Sequence, residues 1–202
     1  MPIRKTFWWA LILTNLVALP ILLYFNQKFS QQKQAQENVL PVLGRIGDFV
    51  MTDFMGGNFT RKNLEGRVWI VNFMFTRCPS QCPAMNLKMS MLRGILDSSV
   101  GLLSLSVDPE HDTPEVLRGY ADRYSAVPGS WNFLTGSRAE LNKVLSYCHL
   151  GASDDPNLHG MKLVLIDEGA SVRAYYDYDD PLLSKKIIAD ITRLKKRGPH
   201  AR

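Results

Sequence analysis

Hydrophobic and polar positions divide this chain into three stretches. From Thr6 to Phe25 the residues run without a charge, and most are large and apolar. From 26 to 43 the chain turns polar and glutamine-rich, with Gln27, Gln31, Gln32, Gln34 and Gln36 ahead of Pro41. From residue 44 onward, short apolar runs alternate with segments of helical period. Val68 to Phe75 and Val100 to Val107 are nearly continuous in apolar character, as expected of strands covered on both faces. Between them Met85, Leu87, Met89, Leu92, Ile95 and Leu96 recur at helical spacing, which predicts a helix.

Thr113-Pro114 opens a second helix, with threonine as N-cap and proline in the first helical position, running to about Tyr124. Trp131 to Leu134 reads as a short strand and Arg138 to Cys148 as a helix. Met161 to Ile166 and Val172 to Tyr176 flank Asp167-Glu168-Gly169, which predicts a hairpin, and Leu182 to Leu194 closes the chain as a helix. Phe49 to Met51 and Asn58 to Thr60, separated by Gly56-Gly57, predict a small hairpin at the start. Strands alternating with helices describe a mixed α/β sheet with helices on both faces.

The leading apolar stretch predicts a membrane anchor over residues 1–25. Its 20 uncharged residues match the ~20 that a spanning helix needs. Trp8, Trp9 and Tyr24 fall near its ends, where interfacial aromatics belong. After Phe25 comes Asn26-Gln27-Lys28-Phe29, without a small-x-small cleavage site and without a lipid-acceptor cysteine. Arg4 and Lys5 place the amino terminus in the cytoplasm and the globular part on the periplasmic side of the inner membrane. The expected organisation is an anchor (1–25), a polar stalk (26–43), a globular domain (44–195) and a basic tail (196–202).

Charge changes this picture little. The formal net charge is +5, but Arg4, Lys5 and the tail residues Lys196, Arg197 and Arg202 supply much of it. No basic helix with interleaved aromatics appears, which argues against nucleic-acid binding.

The chemistry concentrates where the first buried strand hands over to a helix, at Thr76-Arg77-Cys78-Pro79-Ser80-Gln81-Cys82-Pro83. Pro83 is expected at the first helical position, which puts Cys82 at or near the N-cap and Cys78 in the turn before it. Backbone N–H groups and the helix dipole favour thiolates there. Such a pair either forms a disulfide or binds a soft metal. A metal needs a further ligand, and His159, between a polar loop and a strand, is the strongest candidate. Two thiolates and an imidazole suit Cu(I), and with one more ligand Cu(II). Zinc fits less well, because a structural zinc site takes a fourth protein ligand. His111, His149 and His200 are weaker candidates, and Met161 a possible accessory. Cys148, within a helix, is expected to pack as a small apolar residue.

These residues together resemble the Sco/SenC family of membrane-anchored copper proteins. The likeness covers residues from about 44 to 195. It rests on Val71 to Pro83, on Ser106-Val107-Asp108-Pro109-Glu110-His111-Asp112-Thr113-Pro114-Glu115, and on His159 ahead of a strand. The resemblance implies a thioredoxin-like fold, copper held by Cys78, Cys82 and His159, and a role in assembling the dinuclear copper centre of cytochrome c oxidase, whose copper-receiving subunit would be the partner. It also implies an alternative, a thiol–disulfide oxidoreductase in which Cys78 attacks and Cys82 resolves. The Asp108 block is expected beside the site, with Asp112 or Thr113 capping the helix. This chain departs from the family in having Ser80 and Gln81 in the cysteine loop, His111 where arginine is common, and Leu158 where an aspartate usually precedes the histidine. A peroxidase is disfavoured, because Thr76 stands two residues before Cys78 rather than three.

Overall fold

The computed structural model describes residues 19–30, 39–150 and 162–196. Residues 19–30 form helix α1, in a unit separate from the one that begins at Leu40. Its side chains Leu19, Ile21, Leu22, Leu23, Tyr24 and Phe25 are all exposed. Among the described residues no helix is long and apolar enough to cross a membrane. Most of the expected anchor, much of the stalk and nearly all of the tail lie outside them.

The second unit is built on one sheet. Its described strands are β1 (Gly44–Arg45), β2 (Val50–Asp53), β3 (Asn58–Thr60), β4 (Val68–Met74), β5 (Val100–Ser106), β6 (Trp131–Thr135), β7 (Lys162–Ile166) and β8 (Ser171–Asp177). They lie in the order β1-β8-β7-β4-β5-β6-β2-β3. Strands β4, β5 and β6 run parallel, while β7 joins β4, and β2 joins β6, antiparallel. The helices are α2 (Arg61–Leu64), α3 (Gln81–Ile95), α4 (Pro114–Asp122), α5 (Arg138–Tyr147) and α6 (Leu183–Lys196).

Every residue of β4 and β5 is buried, which is why both read as unbroken apolar runs. Side-chain alternation then sorts them into two cores. Val68, Ile70 and Met74 face Met85, Met89 and Leu92 of α3, Leu117 of α4 and Ile187 of α6. Trp69, Val71 and Phe73 face the opposite core, with Leu141, Val144 and Leu145 of α5. Helices on both faces of a mixed sheet are the architecture expected.

Two elements were not legible beforehand. Strand β1 pairs through two residues only, Gly44 and Arg45. Helix α2 is a single turn whose start is held by Asn63 Oδ1 accepting the Thr60 N–H at 2.8 Å. Neither is long enough to leave a periodic pattern.

Gly101 has a packing role. It sits opposite Trp69 in the β4–β5 ladder, and a Cβ there would lie 2.3 Å from the indole ring. Trp69 is buried, with Nε1 donating to Leu64 O at 3.0 Å and the Arg67 guanidinium 5.0 Å from its ring centre, so it has no easy way to turn aside. Gly101→Ala is expected to destabilise by about 1–3 kcal/mol through overpacking. An unchanged urea midpoint would show that the ring moves at no cost.

A polar seam runs through the first core. Asn72 interrupts the apolar run of β4 and is fully buried. Its amide donates to Asn86 Oδ1 of α3 at 2.8 Å, and its Oδ1 accepts from Ser104 Oγ at 2.6 Å. Trp131 Nε1 donates to Ser104 Oγ at 2.9 Å, and Asn86 donates to the Tyr120 hydroxyl at 3.2 Å. Because each unpaired group would incur its full desolvation cost, this network fixes the rotation of α3 on the sheet.

Candidate metal centre

The strand-to-helix turn places both sulfurs at the start of α3. That helix begins at Gln81, so Cys82 is its second residue and Pro83 its third, one turn earlier than the apolar spacing implied. The N-cap is Ser80 rather than Cys82. Proline is tolerated there because the first-turn N–H groups have no intrahelical partner. The Cys82 N–H donates instead to Cys78 Sγ at 3.3 Å. Both cysteines are reduced, Cys78 half-buried and Cys82 only 6% exposed.

Their environments push the two thiols apart. Burial works against ionising Cys78, but the backbone N–H groups of Cys82, Ser80 and Gln81 and the Cys82 thiol outweigh it, so its pKa lies below the ordinary thiol value. Burial pushes Cys82 up to about 12, with the charges of Cys78 and Asp112 adding to the effect and a backbone hydrogen bond at Phe75 opposing it. Alkylation by iodoacetamide is therefore expected at Cys78 first, with a rate that rises and levels off at a pH below that of a free thiol, which is near 8.5. Equal labelling of Cys78 and Cys82, read by peptide mass spectrometry, would contradict this asymmetry.

Behind the turn lies Asp112, fully buried. It accepts the Thr76 N–H at 3.1 Å, the Thr76 hydroxyl at 2.5 Å and the Ser106 hydroxyl at 2.5 Å. Thus Asp112 does not cap α4; Thr113 does, its Oγ1 accepting the Val116 N–H at 3.4 Å. The carboxylate instead ties the residue two before Cys78 to the end of β5. The Asp108 block does lie beside the cysteine turn, as expected. Asp108 accepts from Arg77 Nη2 at 2.8 Å and lies 2.8 Å from His111 Nδ1. Burial opposes its ionisation, but His111 and Arg77 more than offset this and hold its pKa below the usual carboxylate range.

The remaining candidates separate clearly. His111 is engaged by Asp108 and Arg77. His149 follows α5 in a left-handed conformation (φ 52°), with its ring close to Gly44, which fits a helix-ending role. Cys148 is fully buried in the second core, where burial pushes its thiol up to about 12. His159, Met161 and His200 lie outside the described residues. Among the described residues no group of three or more His, Cys, Asp or Glu side chains is placed to hold a metal ion. Sequence reading missed Asp112 as a tether and the Asn72 seam. An asparagine inside an apolar strand was the one available signal.

The fold and this turn define a thioredoxin-like protein with two reduced cysteines at the start of its first long core helix. Residues 43–196 match the SCO1/SenC family model, and the chain belongs to that family. It is 35% identical over 107 residues to the SCO1 protein homolog of Bacillus subtilis, covering 51% of this chain and 55% of that protein. It superposes with a TM-score of 0.69 on BsSco, described as a member of the Sco family of cytochrome c oxidase assembly proteins. There the identity is 26%, over 78% of this chain and 98% of the other. Yeast Sco1 with copper bound superposes with a TM-score of 0.63 at 28% identity, over 75% and 90%. The chain spans between about half and three-fifths of the length of the first curated relatives it matches.

Proposed function

We propose that this protein binds copper through Cys78, Cys82 and His159 and delivers it to the dinuclear copper centre of cytochrome c oxidase. One observation carries the reading: two reduced sulfurs share the start of α3, with the Cys82 N–H aimed at Cys78 Sγ. Copper is the cargo, and the donor set suits it. Thiolates are soft ligands that select Cu(I), and an imidazole completes a three-coordinate site without the fourth protein ligand that structural zinc takes. Metal binding would draw the proton from Cys82, whose raised pKa makes loading pH-dependent. The yeast relative with copper bound and the BsSco description as an assembly protein support cargo and destination. Residues 1–25 would anchor the chain in the inner membrane, N-terminus in the cytoplasm, and 26–43 would let the domain reach a periplasmic acceptor. The domain would extend over 44–195, ahead of the tail at 196–202.

The asymmetric thiols favour a second reading, reduction of the acceptor's cysteines. The Cys78 thiolate would attack the acceptor disulfide, releasing one acceptor thiolate. Cys82 would then displace the second, its proton passing to a leaving thiolate. Two electrons reach the acceptor, and a Cys78–Cys82 disulfide remains.

One experiment separates the two. The full chain, loaded with Cu(I), is mixed with the reduced, copper-free copper-centre domain of the oxidase, and the acceptor is re-isolated for metal analysis. Delivery predicts copper in the acceptor. Copper retained by the chain, together with rapid reduction of the oxidised acceptor, would favour the reductase.

A further inference from the structure

Strand β5 carries two serines toward its end, Ser104 and Ser106, on one face and about 7 Å apart. Both are fully buried. Each hydroxyl is used twice. Ser104 Oγ accepts from Trp131 Nε1 at 2.9 Å and donates to Asn72 Oδ1 at 2.6 Å. Ser106 Oγ accepts the Asp108 N–H at 3.0 Å and donates to Asp112 Oδ2 at 2.5 Å.

From each serine a chain of hydrogen bonds leads to one end of the cysteine turn. Ser104 holds Asn72, whose amide donates to Asn86 Oδ1 at 2.8 Å. Asn86 lies one helical turn after Cys82, about 6 Å along the axis of α3. Ser106 holds Asp112, which takes both the N–H and the hydroxyl of Thr76, two residues before Cys78. Asn72 faces Ser104 in the β4–β5 ladder, and Met74 faces Ser106, so the ladder fixes how far apart the two chains start. Asn72, Asn86 and Asp112 are fully buried as well. Apolar residues would fill these positions with nothing to desolvate. A buried polar network that is fully paired specifies one arrangement more than it adds stability.

That arrangement matters because the pair's two reactions need different sulfur separations. A disulfide draws the sulfurs to ~2.05 Å. Two thiolates bound at ~2.3 Å to one ion in trigonal or tetrahedral geometry stand about 4 Å apart. Both cysteines are reduced here, with Cys78 Sγ accepting the Cys82 N–H at 3.3 Å.

We propose that Ser104 and Ser106 are positioning residues for the cysteine pair. Through Asn72 and Asn86 on one side, and Asp112 and Thr76 on the other, they hold Cys82 and Cys78 at the wider separation. That favours copper over the Cys78–Cys82 disulfide. The inference rests on the copper-binding reading above. A separation needs both ends held, so loosening either chain lets the turn contract.

The test compares the full chain with Ser104→Ala, Ser106→Ala and the double variant, each checked for folding by urea unfolding. Two equilibria are read. Cu(I) affinity in a chelator competition is expected to fall about tenfold in each single variant, the low end for groups that orient a metal ligand. In glutathione buffers, Cys78 attacks glutathione disulfide and releases one glutathione, and Cys82 then displaces the second. One disulfide bond forms in the chain, and the two electrons and two protons it gives up pass to two glutathione thiols. That equilibrium is expected to move several-fold toward the Cys78–Cys82 disulfide. The double variant should be little worse than either single one, because one loose end already frees the spacing. Ile191→Ala opens a cavity on α6 in the same core and breaks none of these bonds, so it should lower stability with both equilibria unchanged. Four results would overturn the proposal: unchanged equilibria in both serine variants, a disulfide less favoured as copper affinity falls, losses that multiply in the double variant, or the same shifts in Ile191→Ala. Absence of Cu(I) binding by the parent chain would instead refute delivery, and the glutathione equilibrium would still decide the positioning role.

Discussion

Cys82→Ser is expected to lower Cu(I) affinity by roughly 10²–10³-fold. The scale follows from four-ligand thiolate and imidazole sites, worth about 10–16 kcal/mol in all, or about 3–4 kcal/mol per ligand. A serine hydroxyl is a hard, neutral donor and does not replace a thiolate on a soft ion. The loss should exceed any stability effect. Cys82 touches the first core, but serine is nearly isosteric with it, and the packing of Met85, Met89 and Leu92 on α3 is untouched. Cys78→Ser should cost as much copper affinity and should also remove the fast-alkylating thiol. Chelator competition under reducing, anaerobic conditions measures both. Wild-type affinity in either variant would remove that sulfur from the site.

Asp112→Ala is expected to destabilise the fold by about 2–4 kcal/mol, the scale for leaving several donors without their acceptor at about 1–3 kcal/mol for each one that stays buried. All three of its partners are donors: the Thr76 N–H, the Thr76 hydroxyl and the Ser106 hydroxyl. Removing the carboxylate leaves the buried Ser106 hydroxyl and the half-buried Thr76 donors without their acceptor. Asp112→Asn should recover only part of the loss, because an amide offers one accepting oxygen and turns an NH₂ toward a donor. The tether also holds the chain two residues before Cys78, so copper affinity should fall in variants that still fold. Urea unfolding gives the first effect and competition titration the second. A near-wild-type midpoint for Asp112→Ala would mean that water or a shifted Thr76 replaces the contacts.

Much of this was legible in the sequence where one physical cause acts alone. Burial on both faces makes β4 and β5 read as apolar runs, and the threonine–proline pair at 113–114 marks the start of α4 by local sterics and one hydrogen bond. The cysteine turn was found because chemistry and chain geometry point to the same residues. What escaped depends on contacts distant in sequence. Asp112 looks like a helix cap from its neighbours alone, and only the fold brings Thr76, 36 residues earlier, against it. Asn72 stands in an apolar strand with no local reason, and its partners lie on α3 and β5. Leu87 stands two residues from both Met85 and Met89, so the helical period itself turns it away from the side those methionines bury, and the Asn86–Asn72 bond holds that rotation of α3. The start of α3 was placed late because Pro83 was assigned to the first helical position, although any position in the first turn accepts it.

The central claim is a three-ligand copper site, and the most direct test is a Cu(I) competition titration of the reduced full chain beside His159→Ala. The account predicts one equivalent held tightly by the parent chain and affinity lower by about 10²-fold or more in the variant, the share of one ligand. Full affinity and an unchanged X-ray absorption spectrum in His159→Ala would contradict it, leaving a cysteine pair that binds copper without the histidine or serves chiefly in thiol exchange.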